Sequence, residues 1–431
     1  MSKQISFSKV KIKNIGKVVT GKTPSTKQPE YYGGNFLFIS PTELHGNYLI
    51  QDSVKKISQL GMNAIKSNTI SGLSILVGCI GWDMGNVSIC TETCATNQQI
   101  NSITLIDERK YNPYYIYYWL KGKKDYLFSL ASVTRTPILS KSTFQEIEIP
   151  VPSKSIQDNI SNMLLSLDKK IMLNDQIVYE LENLTRTIYD YWFIGFNFPD
   201  ENKKPYQSSG GKMIYSKDLN HKIPENWEVK KLEDLELAVI RGVTYNKNDI
   251  SIANSSSIGI LRGTNISNNN ININDLVYIN SDLVSKKQKL NPFDLIITMS
   301  SGSKDHVGKN GFYYCDNKNM SYGAFLSKID IPKILKFYIG MYFQSSHFRD
   351  YLNKQILGTS INNVTNAMLT DIKLAIPDKQ LLQNFNTMVQ PIFYQIQQTI
   401  QEKYELEKLR DWLLPILMNG QVTVDSNNNT L

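Results

Sequence analysis

The sequence predicts an α+β chain in which two similar mixed α/β domains are separated by an antiparallel pair of long coiled-coil helices. Three observations predict it. A segment of nearly fifty residues recurs in fixed register, a four-three apolar stripe ends each copy, and short β-type runs fill the part before each stripe. With 431 residues, 41% of them hydrophobic and 20% charged, the chain can bury more than one core and reads as ordinary globular material. Its longest apolar run, Leu73 to Trp82, falls well short of a bilayer crossing, so no membrane partner is expected.

The repeat is visible in paired segments. Ile147-Glu-Ile-Pro-Val-Pro152 aligns with Ile372-Lys-Leu-Ala-Ile-Pro377 at an offset of 225. Glu180-Leu-Glu-Asn-Leu184 meets Glu405-Leu-Glu-Lys-Leu409 at the same offset, and Phe193-Ile-Gly195 meets Met418-Asn-Gly420. Upstream the match is looser, near 220: Gly21 before Thr23 against Gly242 before Thr244, and Ser74–Val77 against Asp294–Ile297. The β-type runs are Phe36 to Ile39, Leu73 to Ile80 and Ile100 to Ile106 in the first copy. In the second they are Ile258 to Leu261, Leu295 to Met299 and Gly311 to Tyr314. Asn265 to Asp275 is Asn-rich and reads as a loop or a β edge, Pro199 to Lys203 as a linker, and Tyr114 to Trp119 as an aromatic helix.

The first long helix is expected to start after Pro152-Ser153, run to Phe193 and stop at Gly195. Steps of four then three from Ile160 reach Leu164, Leu167, Ile171, Asn174, Val178, Leu181, Thr185, Ile188 and Trp192. The same steps at offset 225 run from Phe385 through Val389, Ile392, Ile396, Thr399, Lys403, Leu406, Arg410 and Leu413 to Leu417. Polar residues interrupt both stripes, and Leu184 and Leu409 are expected to take over the seam there. Such a stripe belongs to paired helices. A helix of about 39 residues at about 1.5 Å each spans roughly 58 Å, more than a small domain, so it must leave its own half and find a partner. Pro391 is expected to kink the second helix or to sit in its first turn.

Lys plus Arg number 47 against 39 Asp plus Glu, a net charge of +8 that leans toward a polyanionic partner. Cys79, Cys90, Cys94 and Cys315 are too few for a disulfide framework, and Met1-Ser-Lys-Gln-Ile lacks a secretory pattern, so a cytoplasmic address and free thiols are expected. The cysteines and His45, His221, His306 and His347 show no metal-ligand spacing, so no metal is expected.

Gly16-Lys-Val-Val-Thr-Gly-Lys-Thr23 has the letters of a P-loop, with Ile103 to Asp107 as a conceivable metal-binding strand. Nucleotide binding through Gly16–Thr23 is therefore the alternative function. Its context is poor: Val10 to Ile15 alternates like a half-exposed strand, and Pro24 and Pro29 would break the helix that should follow. Asn112-Pro-Tyr-Tyr115 only resembles a methyltransferase clamp, and no catalytic residues are singled out.

Binding chemistry remains. Hydroxyl, amide and cationic side chains beside glycine suit phosphates and base edges. The DNA-binding candidates in the first half are Lys22, Thr23 and Ser25, then Asn97 and Gln98, then Thr134, Arg135 and Thr136. In the second half they are Arg241 and Thr244, Arg262, Lys304 and His306, and Thr359 and Ser360.

On these residues the chain resembles the specificity subunit of type I restriction-modification enzymes. Gly21-Lys-Thr-Pro-Ser25, Glu30-Tyr-Tyr and Phe38-Ile-Ser-Pro-Thr-Glu-Leu44 are similar to the start of that family's first target recognition domain. Ile149-Pro-Val-Pro152 with Gln157 and Ile160 resembles its end, and Leu181 to Leu184 with Tyr191-Trp-Phe193 its first conserved helix. Leu409-Arg-Asp-Trp-Leu-Leu-Pro415 with Met418-Asn-Gly420 resembles the close of the second. The second half departs: Val243 and Tyr245 stand where the first has lysine and proline.

The resemblance implies target recognition domains at 1–152 and 196–377, conserved helices at 153–195 and 378–420, and a tail at 421–431. It implies a non-catalytic subunit that reads a bipartite double-stranded DNA target, the helices acting as a ruler between half-sites. Two methyltransferase subunits and the restriction subunits are the implied partners. S-adenosylmethionine, ATP and Mg2+ would arrive with them, and this chain would bind no cofactor. Leu167, Ile171, Leu181, Leu184, Ile188 and Trp192, with Ile392, Ile396, Leu406, Leu409 and Leu413, are expected to pair the helices and dock those subunits.

Overall fold

The computed structural model describes residues 5–46, 48–132, 135–267, 269–356 and 363–422. The chain forms two compact units, one of residues up to Leu173 together with those from Lys403 onward, the other Asn174–Glu402.

In the first unit the main sheet holds four strands: β1 (Lys17–Thr20), β2 (Ser74–Gly78), β3 (Val87–Cys90) and β4 (Ile100–Thr104). Their spatial order is β1-β4-β2-β3, all antiparallel. Every residue of β2, β3 and β4 is buried, which explains why those strands read as unbroken apolar and small-residue runs rather than alternating ones. In a second sheet Tyr32–Ile39 pairs antiparallel with Lys55–Ile57 and parallel with Cys94–Thr96, which Thr69–Ile70 flanks.

The second unit repeats this plan. Its main sheet consists of β5 (Ala238–Arg241), β6 (Asp294–Thr298), β7 (Asn310–Tyr313) and β8 (Leu326–Asp330), in the order β5-β8-β6-β7, again antiparallel. Ser257–Leu261 pairs antiparallel with Val277–Asn280 and parallel with Met320–Tyr322, as its counterpart does; here the flanking strand, Ile250–Ser251, lies at the opposite side. Each unit is closed by an equivalent ladder immediately before its long helix: Ser8–Lys11 with Glu148–Val151, and Glu228–Lys231 with Lys373–Ile376. All six β-type runs read from the sequence are strands. Val10 to Ile15 is not one strand, however: a short helix over Ile12–Ile15 replaces its second half and buries both isoleucines. The Asn-rich stretch forms a small hairpin, Ile266–Ser267 with Asn270–Ile271.

The first long helix runs Lys154–Tyr189 and continues as a π-turn over Asp190–Ile194, capped at Gly195. The second runs Lys379–Met418. Pro391 lies several turns inside it, so the first-turn alternative does not hold. In the first unit Leu164 and Leu165 share a core with Leu414, Leu417 and Met418. In the second, Asn174 Nδ2 donates to Glu402 Oε2 (2.9 Å), and Tyr189 packs on Phe385. Going forward along one helix goes backward along the other, so within this unit they are antiparallel.

The four-three stripe is the buried face, including where it is polar. Asn174, Thr185 and Thr399 are buried although none is apolar. Leu184 and Leu409 are 47% and 43% exposed, which corrects the expectation that they take over the seam. The reason is that the polar positions are satisfied in place: Asn174 bonds to Glu402, and the Thr185 and Thr399 hydroxyls donate to the Glu182 and Gln395 carbonyls. Leu167, Ile171, Leu181, Ile188 and Trp192 are buried or half-buried, as are Ile392, Ile396, Leu406 and Leu413.

Candidate nucleic-acid interface

Antiparallel pairing brings the candidate loops to one edge of the first main sheet. Thr20 at the end of β1 stands opposite Asn101, and Gly78 at the end of β2 opposite Ile100 at the start of β4. The segments leaving β1 and β2 and the one entering β4 therefore meet. Gly21 N–H donates to the Ile100 carbonyl (3.1 Å), and Cys79 N–H to the Gln99 carbonyl (2.7 Å). Thr23 Oγ1 donates to Gln98 Oε1 (2.9 Å), joining two DNA-binding candidates 75 residues apart in the sequence. Asn97 closes its own turn, its Oδ1 accepting from Gln99 N–H (3.1 Å). A fourth segment joins through Gly81 N–H to the Pro137 carbonyl (2.9 Å) and Leu139 N–H to the Cys79 carbonyl (2.8 Å). Lys22, Ser25, Gln98, Arg135 and Thr136 are exposed here. Thr134 lies outside the described residues.

The second unit builds its edge with the same bonds. Gly242 N–H donates to the Leu326 carbonyl (3.0 Å), Met299 N–H to the Phe325 carbonyl (2.9 Å), and Val364 N–H to the Met299 carbonyl (2.7 Å). These are the counterparts of the bonds from Gly21, Cys79 and Leu139. Glycine is required at both first positions: a Cβ at Gly21 would collide with the Asn97 carbonyl oxygen, and one at Gly242 with that of Gly323. Val243 and Tyr245 thus change the side chains of this edge but not its backbone plan. Arg241, Thr244, Lys304 and His306 are exposed on it, and Arg241 Nε donates to the Ala324 carbonyl (3.3 Å). Arg262 is committed elsewhere, its Nη2 lying 2.6 Å from Asp275 Oδ2. Thr359 and Ser360 lie outside the described residues.

The nucleotide-binding alternative fails on this geometry. Gly16–Thr23 contains the whole of β1, which is hydrogen-bonded to β4 and cannot wrap a phosphate. After it comes an extended loop, then only a three-residue helical turn at Pro29–Tyr31. Ile103 belongs to an antiparallel strand, and Asp107 at its exit is paired with Arg109.

Sequence reasoning missed Trp82 and Phe325. Both rings stand at these edges, 72% and 68% exposed. The signal available was a large aromatic beside small residues just outside a buried strand, which instead reads as the tail of an apolar run. The four thiols are buried and free, and burial pushes Cys79 up to about 12. Among the described residues no group of three His, Cys, Asp or Glu could hold a metal, and no helix is long and apolar enough to cross a membrane.

Two copies of one mixed-sheet plan, each presenting a polar and cationic edge made of loops, define a duplicated recognition protein. Residues 5–183 and 224–410 match the type I restriction modification DNA specificity domain, and the chain belongs to that family. It is a specificity subunit with two DNA recognition domains, not a catalytic subunit. It is similar to the type I restriction enzyme MjaIX specificity subunit of Methanocaldococcus jannaschii, with 27% identity over 96% of this chain and 93% of that one. The type I restriction enzyme EcoKI specificity subunit of Escherichia coli is 30% identical over 47% of this chain and 44% of its own. Among solved structures, the type I restriction-modification S subunit from M. genitalium shares the fold at a TM-score of 0.56 and 15% identity, covering 97% of each chain.

Proposed function

We propose that the two equivalent sheet edges are the DNA-reading surfaces, each taking one half of a bipartite duplex target. The observation that carries this is the reuse of three backbone hydrogen bonds and one obligatory glycine to present two loop sets of different side-chain chemistry. Identical frames carrying different side chains suit two half-sites of different sequence. Lys22, Arg135, Arg241 and Lys304 take phosphates, while Thr23, Ser25, Asn97, Gln98, Thr136, Thr244 and His306 lie within reach of base edges. Arg262 reaches DNA only by leaving Asp275.

In this reading the chain acts in the cytoplasm as a scaffold for two methyltransferase subunits and for restriction subunits, and the long helices set the number of unread base pairs. The exposed Leu184 and Leu409 suit docking of those subunits. S-adenosylmethionine, ATP and Mg2+ come with the partners. Extruding an adenine costs a few kcal/mol and falls to the methyltransferase.

The test is methylome sequencing of cells with and without the chain. A bipartite adenine-methylated motif that vanishes on deletion is expected; methylation that persists unchanged would overturn the reading.

A further inference from the structure

Trp82 and Phe325 occupy the two edges, one in each unit, and both are turned to solvent from a fixed backbone. The loop carrying Trp82 is pinned at every side. Gly81 N–H donates to the Pro137 carbonyl, Met84 N–H to the Gly81 carbonyl (3.2 Å) and Gly85 N–H to the Gly78 carbonyl (2.8 Å). Asp83 bridges Lys124 (2.7 Å) and His45 (2.8 Å), and Met84 is buried beneath. Trp82 has Phe128 for a neighbour, ring centroids 6.2 Å apart, yet remains 72% exposed. Phe325 is held similarly. Its carbonyl accepts from Met299 N–H (2.9 Å) and Ser300 N–H (3.3 Å), and the strand that follows begins at the next residue.

An aromatic ring left in water forgoes the burial that makes large aromatics stabilising. Its surroundings select the occupant. Exposed Lys22 and Arg135 share the edge with Trp82, and exposed Arg241 and Lys304 share the edge with Phe325. Cations exposed on the same edge as a single flat ring match a ligand with an anionic backbone and stacked planar bases. They do not match a broad apolar protein surface.

We propose that Trp82 and Phe325 each place an aromatic ring against the bases of the target duplex, one ring in each half-site. This rests on the edge assignment made above. The rings add binding energy at base level, by stacking at a loosened step or by apolar contact in the groove, while the neighbouring cations hold phosphates.

The experiment uses the full chain assembled with its methyltransferase subunits and a duplex carrying the target found by methylation mapping. Trp82→Ala and Phe325→Ala are each expected to weaken binding about tenfold to a hundredfold, with Trp82→Phe recovering most of the loss. In duplexes with single 5-iodouracil substitutions, irradiation is expected to link Trp82 to one half-site and Phe325 to the other. Unchanged affinity in both alanine variants overturns the proposal. So does loss of subunit assembly in place of loss of duplex binding, which would assign the rings to a protein interface. A Lys22→Ala/Arg135→Ala variant separates the two readings. If it weakens binding while Trp82→Ala does not, the aromatic assignment alone fails; if neither has an effect, the edge assignment fails with it.

Discussion

Removing Arg410 should cost far more stability than its place on a long amphipathic helix suggests. Its Nη1 lies 2.8 Å from Asp168 Oδ1, and Tyr118 Oη donates to the other carboxylate oxygen (2.7 Å). The Asp168 side chain is 3% exposed and that of Arg410 is 14% exposed. Burial works against the Arg410 charge, but the adjoining Asp168 and Asp411 carboxylates more than offset it and hold the guanidinium above its ordinary value. Arg410→Ala leaves Asp168 buried without its ion pair, held by the Tyr118 hydroxyl and the field of the nearby Lys121 ammonium, a loss of about 3 kcal/mol. At about 2–4 °C per kcal/mol for a unit of this size, the melting transition should fall by about 10 °C. Arg410→Lys should recover only part, because an ammonium lacks the planar fork. Asp168→Leu with Arg410→Met and Tyr118→Phe should recover most of that loss, since no buried carboxylate is then left unpaired and Lys121 keeps its bond to the Tyr117 hydroxyl. Thermal and urea unfolding followed by circular dichroism measure each variant. An Arg410→Ala protein within about 0.5 kcal/mol of the parent, the range of an ordinary surface substitution, would refute the reasoning.

Glu182 lines a cavity of about 290 Å³ with Arg186, Asp190 and His347, and burial, opposed by Arg186, pushes its carboxyl up to about 7. Since the folded value exceeds the ordinary value of 4.5, its contribution is complete below about pH 4.5 and is lost as pH rises through about 7. Glu182→Gln should therefore match the parent near pH 4.5 and exceed it by about 1–3 kcal/mol at pH 8 in urea melts. Gly21→Ala and Gly242→Ala should each displace an edge loop at about 1–3 kcal/mol and blunt selectivity for one half-site, read by melting and by competition with scrambled duplexes. Seven residues inserted after Leu173 and again after Glu402, about two helical turns, should lengthen the spacer of the methylated motif and leave both half-sites intact. Altered half-sites would contradict the ruler.

The duplication was legible because it rests on local patterns. Six buried strands, Gly21 and Gly242, and two stripes in matching register all survive in one dimension. Leu184 and Leu409 read as seam residues only if apolarity is the sole route to burial, and the buried Asn174, Thr185 and Thr399 show that it is not. Asn174 is buried because Glu402 lies across from it, and no spacing along the chain reveals that partner. The chemistry of Asn97 and Gln98 is plain in the sequence, whereas their junction with Lys22 and Thr23 follows from the antiparallel pairing of β1 and β4. Trp82 and Phe325 escaped notice for a related reason. A ring outside a strand and a ring inside one look alike until the chain turns.

If each unit's sheet edge reads its own half of the target, paired edge variants will separate the two half-sites. Thr23→Ala/Gln98→Ala and Thr244→Ala/His306→Ala chains, which lose side chains assigned to base edges and keep the phosphate-binding cations, are assembled with methyltransferase subunits and titrated against duplexes in which one half-site or the other is scrambled. Each variant is expected to become insensitive to scrambling of one half-site, a different one in each case, while still discriminating at the other. Loss of discrimination at the same half-site in both variants, or at neither, would contradict it.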